Sequence, residues 1–366
     1  MQHDDRTRPR RPSSRSHLQP GEVLQGQYRV ESYLGGGSFG TVYRAHDVII
    51  DRKVALKVVK LPAQLNDEQR KQFIDRFQRE IQLLAKLSHP NAVAVYGVGV
   101  VPDSGTPFMA MELLDGHSLR DELDQVGPMP PERALSLFRS ALEALAEAHD
   151  QGIIHKDLKP ENLFITAPGT PDERLRVVDF GLAHADRAKR LTMQGEMSGT
   201  LEYMAPEYVE AQEVSPAVDV YQMGLILVEL FTGHPVIHEG KPIARVAAHM
   251  DGALPIPNRL LGSPLGPALM DALALDPGDR FPTAGAFLDA LDQLDLSALS
   301  RLDPSDEPTT LLNVLEREHS GPGAYTQAAL SEQHAGQKRR VAGIVVIALA
   351  AVGLVGLIIA AIVLTR

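Results

Sequence analysis

The chain has 366 residues, no cysteine and a formal net charge of -11. That length supports a two-lobed catalytic unit whose core needs no covalent staples, and the missing thiols exclude disulfides, thiolate zinc sites and a cysteine nucleophile. The acidic balance argues against general affinity for nucleic acid.

The one basic stretch, Arg6, Arg8, Arg10, Arg11 and Arg15, lies among Pro, Ser and polar residues, so residues 1–27 read as a disordered, solvated tail. It holds no apolar h-region, and no secretory signal is expected. Residues 28–34 alternate apolar and polar side chains as a strand does, and Gly35, Gly36, Gly37, Ser38, Phe39 and Gly40 follow. Two more strand patterns come at 41–45 and 54–59. In a dinucleotide-binding fold such glycines would open a helix, but Thr41, Val42 and Tyr43 are β formers, so this loop turns one strand back on another. Two readings stand here: a plain glycine hairpin, or a loop whose bare amides approach a phosphate.

Lys57 interrupts the apolar run Val54, Ala55, Leu56, and a cation on a buried face needs an anionic partner. Residues 68–87 read as an amphipathic helix, with Phe73, Phe77, Ile81, Leu84 and Leu87 at helical spacing and Glu80 among them. Glu80 is either that partner, reaching Lys57 when the helix is swung in, or one more solvated charge. His89, Pro90 and Asn91 end the helix, and strands run on to Met111.

Residues 112–114 are expected to connect two lobes, because helical patterns dominate from 118 onward. A helix over 131–150 leads into 154–162, I-H-K-D-L-K-P-E-N. In that short loop Asp157 can aim a carboxylate at a hydroxyl, Asn162 can offer a carboxamide to a metal, and Lys159 can place a cation where negative charge develops. Ordinary polar turn chemistry is the alternative for this stretch alone. A strand at 174–178 ends in Asp179, Phe180 and Gly181, and a carboxylate there suits magnesium. Farther on come Ala205, Pro206 and Glu207, a helix over 216–232 carrying Asp219 in an apolar run, Arg280, and a last helix over 283–294.

Residues 295–340 are too polar to bury a core and read as a flexible tether, in which Thr309 and Thr310 lie beside Asp306 and Glu307. From 341 to 364 no residue is charged, about 36 Å as a helix against a hydrocarbon core of about 30 Å. A membrane span is expected there, with one small-xxx-small pair, Gly356 and Ala360, hinting at helix pairing. Lys338, Arg339 and Arg340 precede it, so the expectation is that everything before the span is cytoplasmic and only Thr365 and Arg366 lie beyond.

Taken in order, the glycine loop, V-A-L-K, a helical glutamate, H-x-D-L-K-P-E-N, D-F-G and A-P-E resemble the eukaryotic-like protein kinase superfamily, most of all bacterial membrane-anchored serine/threonine kinases, over residues 28–294. The resemblance implies an α+β bilobal fold, a small β-rich lobe with one long helix and a larger helical lobe, followed here by the transmembrane helix. It implies ATP and Mg2+ as cofactors. Gly35, Gly37 and Gly40 would cover the phosphates, and Lys57, braced by Glu80, would hold two of them. Asp157 would orient or deprotonate the acceptor hydroxyl, Lys159 would face the γ-phosphate, and Asn162 with Asp179 would bind magnesium. Leu34, Val42, Ala55 and Phe164 would enclose adenine, whose hydrogen bonds fall to the hinge at Glu112 and Leu114, with Met111 as gatekeeper.

Lys159, Gly199 and Thr200 resemble the serine/threonine type rather than the tyrosine type, and Arg280 would pair with Glu207 to steady the larger lobe. One residue departs from the pattern. Kinases activated by loop phosphorylation carry arginine between His155 and Asp157, and here it is Lys156, a point charge in place of a bidentate fork. Thr192, then Ser198, are the expected autophosphorylation sites. The implied partners are protein substrates, the membrane, a second copy for trans-autophosphorylation and phosphothreonine-reading domains at the tether. The rival expectation is a membrane-anchored pseudokinase scaffold that transfers no phosphate.

Overall fold

Residues 18–37, 40–61, 65–102, 104–180, 201–210, 214–238, 240–295, 299 and 308–310 are described by the computed structural model. The smaller lobe is a six-stranded sheet in the order β1 (Val23–Leu24), β2 (Tyr28–Gly37), β3 (Gly40–Asp47), β4 (Arg52–Val59), β6 (Pro107–Glu112) and β5 (Val95–Val100). All its neighbours are antiparallel. Strand β2 runs on past the expected end at residue 34, because its ladder with β3 continues to the pair Gly37 and Gly40. Thr41 and Val42 favour the extended backbone opposite, so the glycines are carried along as strand. A Cβ at Gly40 would lie 2.3 Å from the Val58 carbonyl oxygen, so only glycine lets β4 come this close.

Alternation along β4 separates two apolar clusters. Val54 and Leu56 join Tyr28, Val30, Tyr43 and Phe108 on the outer face. Ala55 and Val59 face inward with Met109, Met111, Phe77 and Ile81. Lys57 lies between those two inward residues, so the period of two places its cation on the cleft side. Helix α1 (Asp67–Leu84) packs on β5 and β6. It opens with a capping box, the Asn66 side chain accepting from the Gln69 N–H and the Gln69 side chain accepting from the Asn66 N–H. It closes at Leu84, short of the expected Leu87, although Leu87 is still buried beyond it.

The larger lobe contains α2 (Leu119–Val126), α3 (Pro131–Asp150), α4 (Pro206–Glu210), α5 (Pro216–Thr232), α6 (Pro242–Met250), α7 (Asn258–Leu261), α8 (Gly266–Ala272) and α9 (Ala284–Asp292), with a small sheet of β7 (Gly116–Ser118), β8 (Leu163–Thr166) and β9 (Arg174–Val177). Every side chain from Ala217 to Phe231 is buried, so α5 is apolar all round and forms the axis on which the other helices pack. Gly233, at a left-handed φ of 80°, ends it by returning its N–H to the Glu229 carbonyl at 2.7 Å. Asn91 and Val93 bracket Val177 with backbone hydrogen bonds of 2.8 and 3.0 Å, which join the smaller lobe to β9.

Two described features lie beyond the expected end of this unit at 294. Leu299 packs on the main core. Residues Pro308–Thr310 form a strand, β11, antiparallel to β10 (Pro255–Pro257). Pro255 and Pro257 have no N–H, so Ile256 and Thr309 are the one pair that can exchange two hydrogen bonds. The sequence gives no sign of this strand, which is three residues long and proline-flanked. The expected span at 341–364 lies outside the described residues, among which no helix is long and apolar enough to cross a membrane.

Candidate active site

The loop after α3 is built on a buried carboxylate. Asp219, fully enclosed on α5, accepts from the amides of His155 at 2.8 Å and Lys156 at 2.7 Å, and pairs with His149 Nε2 at 2.9 Å. Burial works against its charge, yet the His149 contact and the His155 contacts together outweigh this and hold its carboxyl below the ordinary range. Gln222, one turn along α5, accepts from the Leu158 amide at 2.9 Å and donates to the Lys156 carbonyl at 3.2 Å. These contacts keep Lys156 at a φ of 68°, a left-handed conformation that costs a non-glycine residue about 1 kcal/mol.

The loop turns Asp157 toward the cleft. Its Oδ2 lies 3.3 Å from Lys159 Nζ and accepts from Asn162 Nδ2 at 3.3 Å, while the same Nδ2 donates to the Asp157 carbonyl at 2.7 Å. Asn162 therefore uses its nitrogen to fix the loop and leaves Oδ1 for a cation. Its backbone carbonyl accepts from Val178 at 2.9 Å, which ties the loop to the strand that delivers Asp179. His155 Nε2 meets the Val178 carbonyl at 2.9 Å, and the Phe180 ring lies 4.9 Å from its own, buried in the larger lobe.

Asp179 is left-handed, with φ 60°, and its Oδ2 is 2.6 Å from Lys57 Nζ. The residues expected as base, clamp and metal ligands form two groups, Asp157–Lys159–Asn162 and Lys57–Asp179, joined through the Asn162–Val178 backbone bond. Glu80 does not join them. Its carboxylate pairs with Arg76, one turn back on α1, at 3.1 Å. The braced pair expected of Lys57 and Glu80 is absent from this arrangement, and a cavity of about 110 Å³ lined by Glu80, Leu83, Leu84, Ile154 and Phe180 separates α1 from the loop. The physical reason is that a carboxylate one turn from arginine already has a partner, while Asp179 supplies the anion that Lys57 needs.

The expected adenine pocket is partly gathered. Val42 packs against a cluster holding Ala55 and Met111, which are cross-strand neighbours. Leu34 is exposed, and Phe164 lies on β8 opposite Ser118, outside that cluster. A Cβ at Gly35 or Gly37 would meet no atom within 4 Å, so the space beside both is open. At the hinge, Glu112 gives its N–H to the Ala94 carbonyl, and its carboxylate takes two hydrogen bonds from Arg176 at 2.6 and 2.7 Å. No backbone hydrogen bond among the described residues engages the Leu114 N–H.

A magnesium nucleotide fits these groups. One carboxylate and one carboxamide oxygen are what Mg2+ uses when phosphate oxygens and water fill the other positions, and no closed cage of three or more acidic or histidine ligands exists among the described residues. Thr192, Ser198, Gly199 and Thr200 lie outside the described residues, as do Ser38, Phe39 and Gly181. Arg280 makes two hydrogen bonds of 2.8 Å to Glu207, the pair expected to steady this lobe.

Residues 28–270 match the family described as the protein kinase domain. The chain belongs to that family. It is 36% identical over 275 residues to serine/threonine-protein kinase PknL of Mycobacterium tuberculosis, a match covering 74% of this chain and 66% of that protein. Against serine/threonine-protein kinase pkn3 of Myxococcus xanthus it is 34% identical over 284 residues, covering 75% of this chain and 51% of the other. The crystal structure of the Mycobacterium tuberculosis PknI kinase domain has a TM-score of 0.58 and 28% identity, covering 76% of this chain and 99% of that one. The chain spans between half and two thirds of the length of these two curated relatives. The bilobal kinase fold is thereby shared with them.

The sequence shows Asp219 only as an acid within the apolar run of 216–232, and nothing in it singles out His149, Gln222 or Arg176. Asp219 had a signal, an acid inside an apolar helix. Arg176 had none, since its partner is 64 positions away in sequence.

Proposed function

We propose that this chain is an ATP- and magnesium-dependent serine/threonine protein kinase, tethered to a membrane by residues 341–364 and acting on cytoplasmic proteins. The observation that carries the reading is the grouping of Asp157, Lys159 and Asn162 within 3.3 Å contacts, in a cleft that also holds Lys57 and Asp179. In this reading Asp157, fixed through its backbone by Asn162, accepts the proton of a serine or threonine hydroxyl and aims the oxygen in line. Lys159 sits where negative charge spreads as the phosphoryl group moves. With nucleotide present, Lys57 would bind its phosphates in place of Asp179, and Asp179 with Asn162 Oδ1 would hold Mg2+, which would supply charge neutralisation. The names of PknL and pkn3 favour serine or threonine as acceptor.

The test is direct. Full-length protein in detergent with labelled MgATP should phosphorylate itself or dephosphorylated casein, and Lys57→Met should abolish the signal. The Lys57–Asp179 contact gives the scaffold reading its one specific support, because it occupies both groups with each other. No transfer by the wild type under any divalent cation, with ATP still bound, would establish the scaffold instead.

A further inference from the structure

Arg176, on β9, lies three residues ahead of Asp179, and its cross-strand partner on β8 is Phe164. Opposite residues of an antiparallel pair share a face, so the guanidinium stands on the same side of this small sheet as a residue expected to enclose adenine. From there it reaches out of the larger lobe to the hinge. Nη1 donates to Glu112 Oε1 at 2.7 Å and Nη2 to Oε2 at 2.6 Å, a fork closed on a carboxylate, and Nη2 also donates to the Ala92 carbonyl at 2.8 Å. Nε is buried and, among the described residues, has no partner. The pose is fixed by the two terminal nitrogens, at the cost of one unmet donor.

The other end of the fork is equally constrained. Glu112 donates its N–H to the Ala94 carbonyl at 2.9 Å, and its Oε2 accepts from the Ala94 N–H at 3.3 Å. The amide and both carboxylate oxygens of one hinge residue are thus engaged, in a pair whose side chains are only 15% exposed for Arg176 and 28% for Glu112. A residue held at three atoms cannot swing its peptide plane freely. The direction of the Glu112 carbonyl is therefore set by groups outside the hinge.

That direction can select a base. Adenine presents an amino group where guanine presents an oxo group. A carbonyl fixed in place accepts from the amino group but faces the oxo group lone pair to lone pair, and a buried acceptor left without a donor rejects the wrong base strongly. A hinge free to turn its peptide would lose the distinction.

We propose that Arg176 is a positioning residue for base selection: by clamping Glu112 from the larger lobe, it holds the hinge carbonyl for the adenine amino group and against guanine. It acts through Glu112 rather than on the nucleotide. The inference rests on the kinase reading, which makes Glu112 the hinge.

Calorimetric titration of the full-length chain in detergent, with Mg2+ and the non-hydrolysable β,γ-imido analogues of ATP and GTP, reads the selection as a ratio of dissociation constants without any transfer step. Wild type should bind the adenine analogue at least about thirtyfold tighter, and Arg176→Ala should lower that ratio about tenfold. Arg176→Lys, a point charge that cannot fork, should recover only part of it. Glu112→Gln should match Arg176→Ala, and the two together should do no more than either alone. If thermal midpoints fall in these variants while the ratio stays within about twofold of wild type, the pair is packing and the proposal is overturned. A wild type with no preference for the adenine analogue overturns it too. Failure of the kinase reading looks different: the ratio falls in the variants as expected, yet wild type transfers no phosphate from MgATP to dephosphorylated casein.

Discussion

The two halves of the candidate active site are held in opposite ways. Around Asp157 every support comes from the folded core: Asp219 and Gln222 reach out of the central helix α5 to backbone amides, and Asn162 closes the loop on itself. Around Lys57 the supports are exchangeable. Lys57 rests on Asp179 across the cleft, and Glu80 rests on Arg76 on a partly exposed face of α1. The first half is finished when the chain folds, and in the proposed kinase reading the second would trade its partners when nucleotide binds. On that reading the groups that move phosphate are held by the core, and those that admit nucleotide are held by exchangeable pairs.

The most severe test removes the base from the finished half. Asp157→Asn should lower phosphoryl transfer by about a thousandfold, the usual range for a lost acid-base group, while thermal unfolding changes little because asparagine still accepts a hydrogen bond. Asp219→Ala should cost about 3 kcal/mol of stability by orphaning two amides and His149, read as a fall in thermal midpoint accompanied by loss of transfer. A stable, active Asp219→Ala protein would break the comparison outright.

Acid should weaken the larger lobe through His249, which packs on α5 behind the finished half. His249 has a folded pKa of about 4 against an ordinary 6.5, so between those values the unfolded chain takes up a proton the folded chain refuses. Its contribution is complete above pH 6.5 and lost as pH falls toward 4, with a ceiling of about 3 kcal/mol. Urea unfolding at pH 6.5 and 4.5 should show a smaller acid loss in His249→Gln than in wild type. The smallest effect belongs to the exchangeable half. The Arg76–Glu80 pair is one turn apart and partly exposed, worth about 0.5 kcal/mol, so Arg76→Ala should release Glu80 and raise basal transfer only about twofold. A tenfold rise would show that the pair is a lock.

How much of this was legible follows from where the information sits. The loop 154–162 could be read because its groups are neighbours in sequence and the chemistry needs them adjacent. Helices 131–150 and 216–232 could be read because their apolar patterns are long. The partner of Lys57 could not, since it depends on where a whole helix comes to rest, and Asp179 and Glu80 are both within the chain's reach as anions. Glu112 and Arg176 show no local signal for their pairing. His249 reads as one more polar residue until its burial against Tyr221 is seen.

The strand Pro308–Thr310 bears on how the molecule should be handled. A protein trimmed at Leu294, where the helical pattern stops, would lose the strand that, among the described residues, meets the Ile256 backbone on β10. Pro255 and Pro257 already blunt that edge, so the loss uncovers two backbone groups at Ile256 without opening a surface for self-association. A boundary drawn beyond residue 310 should keep them covered and read as a slightly higher thermal midpoint.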